Sequence, residues 1–152
     1  MLILGSFDGY GNATVGIEVA GASGSKAYRA IIDTGFSGFV ALPLVEMIPL
    51  GLSTQGATTV MLGDGSIISS SVSTGAVTLG DQVESGTILL DDNSTDVLVG
   101  MAFLREFKIA LIVTNNTVVL YNEYETLEAI AKFMGAAPQG QPNTSPSSDQ
   151  LK

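Results

Sequence analysis

The chain has 152 residues, 45% of them apolar, with 15 acidic against 6 basic side chains and a formal charge of −9. Nucleic acid and anionic membrane surfaces both attract basic faces, so neither is expected as a partner. Histidine and cysteine are absent, which removes imidazole bases, thiol nucleophiles, disulfides and the usual zinc ligand sets; acid–base chemistry falls to Asp, Glu, Lys or Tyr.

Residues 1–11 read as an N-terminal segment. Met1-Leu2-Ile3-Leu4-Gly5 is too short an apolar run for a signal peptide and lacks a basic start. No run reaches the length of a membrane span, and the expectation is a soluble, cytoplasmic protein. Residues 12–20 alternate around Val15, Ile17 and Val19, as a half-buried strand does. A Gly-Ser turn leads to a strand over 27–33, and a short strand over 39–42 is ended by Pro43. A brief helix is predicted over 44–50, where Leu44, Val45, Met47 and Ile48 bunch on one side. Strands over 58–62 and 66–71 flank Gly63-Asp64-Gly65, a hairpin signal that reads equally as a type I′ turn or as a mobile flap. Further strands are predicted over 75–79, 87–90 and 97–99. One or two helical turns follow over 101–107, and a hairpin over 108–121 turns at Asn115-Asn116. Many short strands at this spacing predict a small all-β barrel or sandwich. An amphipathic helix is predicted over 124–134, with Leu127, Ile130, Ala131 and Met134 on one stripe and Gly135 as its stop. The tail over 136–152 is rich in Pro, Ser, Gln and Asn and is predicted to be disordered. The domain proper is therefore expected over 12–122, followed by a helical segment over 123–135.

The residues that point to chemistry are Asp33-Thr34-Gly35. They end the apolar run Ala30-Ile31-Ile32, so a carboxylate stands where a strand leaves the interior. Burying a carboxylate is costly without partners, and such positions are often functional. Gly35 has no Cβ and allows a sharp turn and close approach by another group. The plain alternative is a strand exit at which Asp33 satisfies local backbone donors. The acidic cluster Asp91, Asp92 and Asp96 lacks the glycine and distal glutamate of an EF-hand loop and reads as a solvated loop.

The run Ala30-Ile31-Ile32-Asp33-Thr34-Gly35-Phe36-Ser37-Gly38 resembles the active-site loop of the retropepsin-like aspartic proteases. Two other elements agree in order and rough spacing. Leu98-Val99-Gly100 with the helix after it resembles that family's late hydrophobic-hydrophobic-Gly block, and Gly63-Asp64-Gly65 falls where the family carries its flap. The likeness covers about residues 12–122. It implies a small closed acid-protease barrel with one short helix after the Val-Gly motif; the C-terminal helix is additional to it.

The resemblance also implies a homodimer, since one chain carries one Asp-Thr-Gly and a two-fold axis would pair Asp33 with its copy. Two carboxylates that close cannot both ionise easily, so the pair would share a proton; aspartic proteases are the standard instance of this rule. The implied activity is peptide hydrolysis with no metal and no cofactor. Thr34 would cross-link the two loops and Gly35 would bind substrate backbone. The implied substrate contacts are Phe36, Ser37, Met61, Leu62, Gly63, Asp64, Gly65, Val97 and Leu98, around an extended peptide or protein substrate. Viral members have a small residue at Phe36, and an acid and an arginine that pair at the places of Ser37 and Met101. Here the bulky ring would narrow a pocket or pack under the loop, and both ion-pair members are missing together. The hairpin 108–121 is a candidate for bracketing the dimer instead. The rival expectation is a peptide-binding or dimerisation module that keeps the fold without useful catalysis. A third is a zymogen-like form needing removal of 1–11 or 135–152.

Overall fold

The computed structural model describes residues 1–61, 65–122, 131, 132 and 135. The helix expected over 124–134 and the tail over 136–152 fall almost entirely outside these residues.

The N-terminal segment, left out of the domain by the sequence patterning, forms two strands, β1 (Leu2–Leu4) and β2 (Ser6–Phe7). Then come β3 (Ala13–Gly21) and β4 (Gly24–Ile32), a long antiparallel pair in which Thr14 lies opposite Ile31. On β3, Val15, Ile17 and Val19 are buried and the residues between them are exposed, which is the alternation read from the sequence. β5 (Val40–Pro43) is buried at every position, because strands flank it on both sides. A 3-10 turn (Leu44–Glu46) and α1 (Met47–Leu50) follow. The helix is where the sequence puts it, but its apolar bunching does not mark a buried face: Val45 and Ile48 are turned outward and Leu50 alone is buried.

β6 (Gly56–Met61) and β7 (Ile67–Leu79) pair antiparallel on either side of the segment holding Gly63-Asp64-Gly65, and β8 (Gln82–Asp91) runs back along β7. The two strands predicted over 66–71 and 75–79 are one. Gly75 looks like a breaker in sequence, yet a Cβ there would lie 2.5 Å from Ile88 Cδ1 and 3.1 Å from the Ala20 carbonyl. It is a point of close approach between strands. β8 likewise begins before the predicted residue 87, because pairing with β7 carries its polar first half. β9 (Leu98–Val99), α2 (Met101–Glu106), β10 (Ile109–Val113) and β11 (Val118–Asn122) follow.

The main sheet runs β2-β3-β4-β9-β5-β8-β7-β6, and β3 also pairs with β7. That extra pairing closes a ring of six strands, β3-β4-β9-β5-β8-β7, with β2 and β6 outside it. A second sheet, β1-β11-β10, is antiparallel throughout. The architecture is the all-β closed barrel predicted, with the short helix α2 directly after Leu98-Val99-Gly100. Its core is aliphatic around Val15, Val19, Leu42, Val77 and Ile88. At one end it holds an aromatic triad, in which Phe103 and Phe107 lie 4.6 Å apart and Phe39 sits 5.7 Å and 6.3 Å from them.

Two polar staples fasten the barrel's exterior. Glu46 accepts from Lys26 Nζ at 2.7 Å and from the Tyr28 hydroxyl at 2.7 Å, tying β4 to the turn before α1. Those bonds, Lys26 first and Tyr28 next, hold the Glu46 carboxyl below its usual range. Partial burial, then the Glu46 carboxylate, push the Tyr28 phenol well up. The Arg29 guanidinium donates to Thr14 Oγ1 at 2.9 Å and to Ser6 Oγ, fastening β2 across β3 and β4.

Candidate active site

β4 delivers Asp33 to the site, and β9 holds it there. The two strands are parallel, with Ile31 beside Leu98 and Ile32 beside Val99. The Ile31 N–H donates to the Val97 carbonyl at 2.8 Å and the Asp33 N–H to the Val99 carbonyl at 2.9 Å. A continuous apolar run such as Ala30-Ile31-Ile32 suits this place, since a strand inside the closed ring has no solvated edge. Beyond Asp33 the pairing stops and the chain turns. Asp33 Oδ1 accepts the Gly35 N–H at 2.9 Å, and the Asp33 carbonyl accepts the Phe36 N–H at 3.1 Å. Asp33 is half-buried, while Thr34 and Gly35 are exposed. The local turn anticipated as the plain reading therefore exists, and it aims one carboxylate oxygen at the loop's own backbone.

The far side of the loop is locked to α2. The Phe36 carbonyl accepts the Met101 N–H at 2.8 Å, the Gly38 carbonyl accepts the Ala102 N–H at 3.1 Å, and the Phe39 carbonyl accepts the Gly100 N–H at 3.1 Å. Gly100 is forced by this packing: a Cβ there would lie 2.3 Å from the Phe36 oxygen and 2.5 Å from the Gly38 oxygen. The late Leu98-Val99-Gly100 block thus acts through its backbone, seating the loop that carries Asp33.

A cleft of about 270 Å³ opens beside the loop. One wall is Gly35 to Val40, the other is Thr58 to Met61 of β6, and Val72, Thr87 and Leu89 form the remainder. None of these residues is charged. Of the predicted substrate contacts, Phe36, Ser37 and Met61 line the cleft together with Gly35. Val97 and Leu98 do not: Val97 is buried in the core, and Leu98 lies between β4 and β5. Gly65 is exposed with φ +83°, a left-handed conformation that glycine takes readily. Leu62, Gly63 and Asp64 lie outside the described residues. On the two strands flanking that segment, Met61 and Ile67 are 71% and 65% exposed. Sequence reasoning missed Thr58, Thr59, Val60, Val72, Thr87 and Leu89. All but Val72 fall in predicted strands, but only the placing of β6, β7 and β8 beside the loop makes them walls.

The acidic loop over 91–96 is held by its own turn bonds. Asn93 N–H donates to Asp91 Oδ1 at 2.8 Å, and Asn93 Nδ2 donates to Asp92 Oδ1 at 2.8 Å. Among the described residues no helix is long and apolar enough to cross a membrane.

With this geometry the chain can be set beside known structures. A retropepsin-like aspartic protease from Rickettsia conorii superposes with a TM-score of 0.57, covering 80% of this chain and 90% of its own, at 17% identity. The fold is retropepsin-like. At that identity the likeness concerns the fold alone. A Legionella pneumophila protein of unknown function aligns over 60% of this chain and 84% of its own, at 16% identity and a TM-score of 0.39. No family model matches the chain, and no curated protein does. In the retropepsin-like frame, the parallel β4–β9 pair, the loop after it and the β6–β7 hairpin are three parts of one region, and the cleft lies between the last two.

Proposed function

We propose that the protein is an aspartic endopeptidase active as a homodimer, with one Asp33 from each subunit. The observation that carries this reading is the position of Asp33-Thr34-Gly35. On a retropepsin-like barrel it emerges from the parallel β4–β9 pair beside an uncharged cleft roofed by a hairpin. One carboxylate acts as general base on a water molecule, which attacks the scissile carbonyl. The protonated partner donates to the carbonyl oxygen and then assists proton delivery to the leaving amine. The exposed Thr34 is free to reach the second loop, and the β6–β7 hairpin folds over an extended peptide and excludes water. β6 is the terminal strand of its sheet, an edge suited to pairing with a substrate in β form.

The test is cleavage of an unstructured protein at mildly acidic pH by wild type and by Asp33→Asn, with sedimentation across concentration. Wild type is expected to cut, with specific activity falling on dilution as dimers dissociate. Asp33→Asn is expected to lose about 10²–10⁴-fold. Equal slow loss in both proteins refutes the proposal and favours the peptide-binding module, and a strictly monomeric active species refutes the shared two-Asp site.

A further inference from the structure

We infer that Phe36 determines which substrate side chain the cleft accepts, its ring being fixed as a wall by two bare glycine faces. The residue is tethered at both ends of its backbone. Its N–H donates to the Asp33 carbonyl and its own carbonyl accepts from Met101 N–H at 2.8 Å, so it moves neither from the β4 end nor from α2. The ring is confined as well. A Cβ on Gly38 would lie 2.3 Å from Phe36 Cζ, and one on Gly100 would lie 2.6 Å from Cδ1. The ring therefore lies on the Cα atoms of both glycines and cannot swing further toward either.

Its remaining surface borders the cleft, across from Thr58, Thr59, Val60 and Met61. The two walls differ in stiffness. The Phe36 wall is anchored in the loop and in α2, whereas the β6 wall is an edge strand bonded on one side, to β7. The ring accordingly sets the depth of the space, and the hairpin adapts over what enters. The uncharged lining completes the selection. A charged side chain entering it would meet the hydroxyls of Ser37, Thr58, Thr59 and Thr87 but no opposite charge, so it would give up more hydration than an apolar one. The ring takes up depth that a larger substrate side chain would otherwise use, so its removal should favour an indole relative to an aliphatic group such as Leu.

The inference deepens the protease reading, but its core is a binding property, and the two are tested apart. Two labelled peptides, identical except for Leu or Trp at one position, are titrated by fluorescence anisotropy into Asp33→Asn protein, which binds without turnover. The same pair is used as substrates for protein with Asp33 intact. With Phe36 present the ratio of the two affinities sets the reference. Phe36→Ala is expected to shift the preference toward Trp by roughly tenfold in affinity and in kcat/KM. Phe36→Leu, which keeps an apolar group over both glycines, shifts it less in the same direction and carries the test should truncation to alanine unfold the chain. An unchanged preference in both variants overturns the inference and leaves Asp33-dependent cleavage intact. So does failure of the Asp33→Asn protein to bind either peptide. A preference that shifts in binding while no variant cleaves leaves the inference standing and overturns the protease reading.

Discussion

Replacing Gly100 by alanine tests how the loop that carries Asp33 is held. The backbone at Gly100 has φ −115° and ψ −164°, which any residue adopts, so the substitution carries no torsional strain. The penalty is purely one of space. The new Cβ would meet the Phe36 oxygen at 2.3 Å, the Gly38 oxygen at 2.5 Å and Phe36 Cδ1 at 2.6 Å, where real contacts essentially never fall below 3.0 Å. Two of these neighbours are backbone, so relief requires the loop to move away from α2 by about 0.7 Å. Overpacking of this kind costs about 1–3 kcal/mol. The same movement strains the bonds from Met101 N–H to Phe36 and from Ala102 N–H to Gly38, each worth about 1 kcal/mol. Gly100→Ala should therefore lose about 3 kcal/mol, a large part of the roughly 5–15 kcal/mol that holds a small domain together. The assay is urea unfolding followed by far-UV circular dichroism, since the chain has no tryptophan to report. Gly16→Ala is the control: a Cβ there meets nothing within 4 Å, and its stability should stay within about 0.5 kcal/mol of wild type. A Gly100→Ala protein as stable as that control, with an unchanged urea slope, refutes the account of how the loop is seated.

Other expectations follow from polar groups. Ser73 is buried opposite Ile88, and its Oγ has no hydrogen-bond partner among the described residues. Ser73→Ala should stabilise the protein by up to about 1 kcal/mol, because the hydroxyl's lost hydration is uncompensated; a clear loss in a thermal melt would reveal a partner for it. Glu46→Gln should cost about 0.5 kcal/mol at neutral pH, a small figure because Lys26 is half exposed to solvent. Since the folded Glu46 carboxyl lies below its ordinary 4.5, its contribution is present above that pH and is lost as the pH falls through the folded value. The gap between wild type and Glu46→Gln in melts across pH should therefore close on acidification; a constant gap would mean that charge plays no part. Tyr28 acts at the opposite end. With its phenol raised above the ordinary 10.0, its contribution persists below that pH and fades as the pH rises past it, which Tyr28→Phe should abolish in alkaline melts.

Much of this protein is legible in the order of its residues. The alternation of Val15, Ile17 and Val19 and the unbroken run Val40-Ala41-Leu42 both state how many faces of their strands are covered. The hairpin at the Gly-Asp-Gly turn and the charge placed after Ile31-Ile32 are local signals too, because turn geometry and strand exits depend on residues close in sequence. Composition alone removes histidine and cysteine chemistry and leaves Asp, Glu, Lys and Tyr as the candidates.

Tertiary structure decided what local pattern could not. Strands β1 and β2 exist because β11 and β3 offer them free edges, and nothing within residues 1–11 announces those partners. β7 is continuous across Gly75 because neighbouring strands press on it, a fact written in Ile88 and Ala20 rather than beside Gly75. Val45 and Ile48 bunch on one side of a helix whose exposed face they turned out to occupy, since apolar spacing says which residues share a side but not what lies opposite. The same holds for the site: Asp33 and the near wall of the adjoining cleft, Gly35 to Val40, lie in one stretch of chain, whereas the rest of the cleft comes from β6, β7 and β8, brought there by hydrogen bonding and packing between segments distant in sequence.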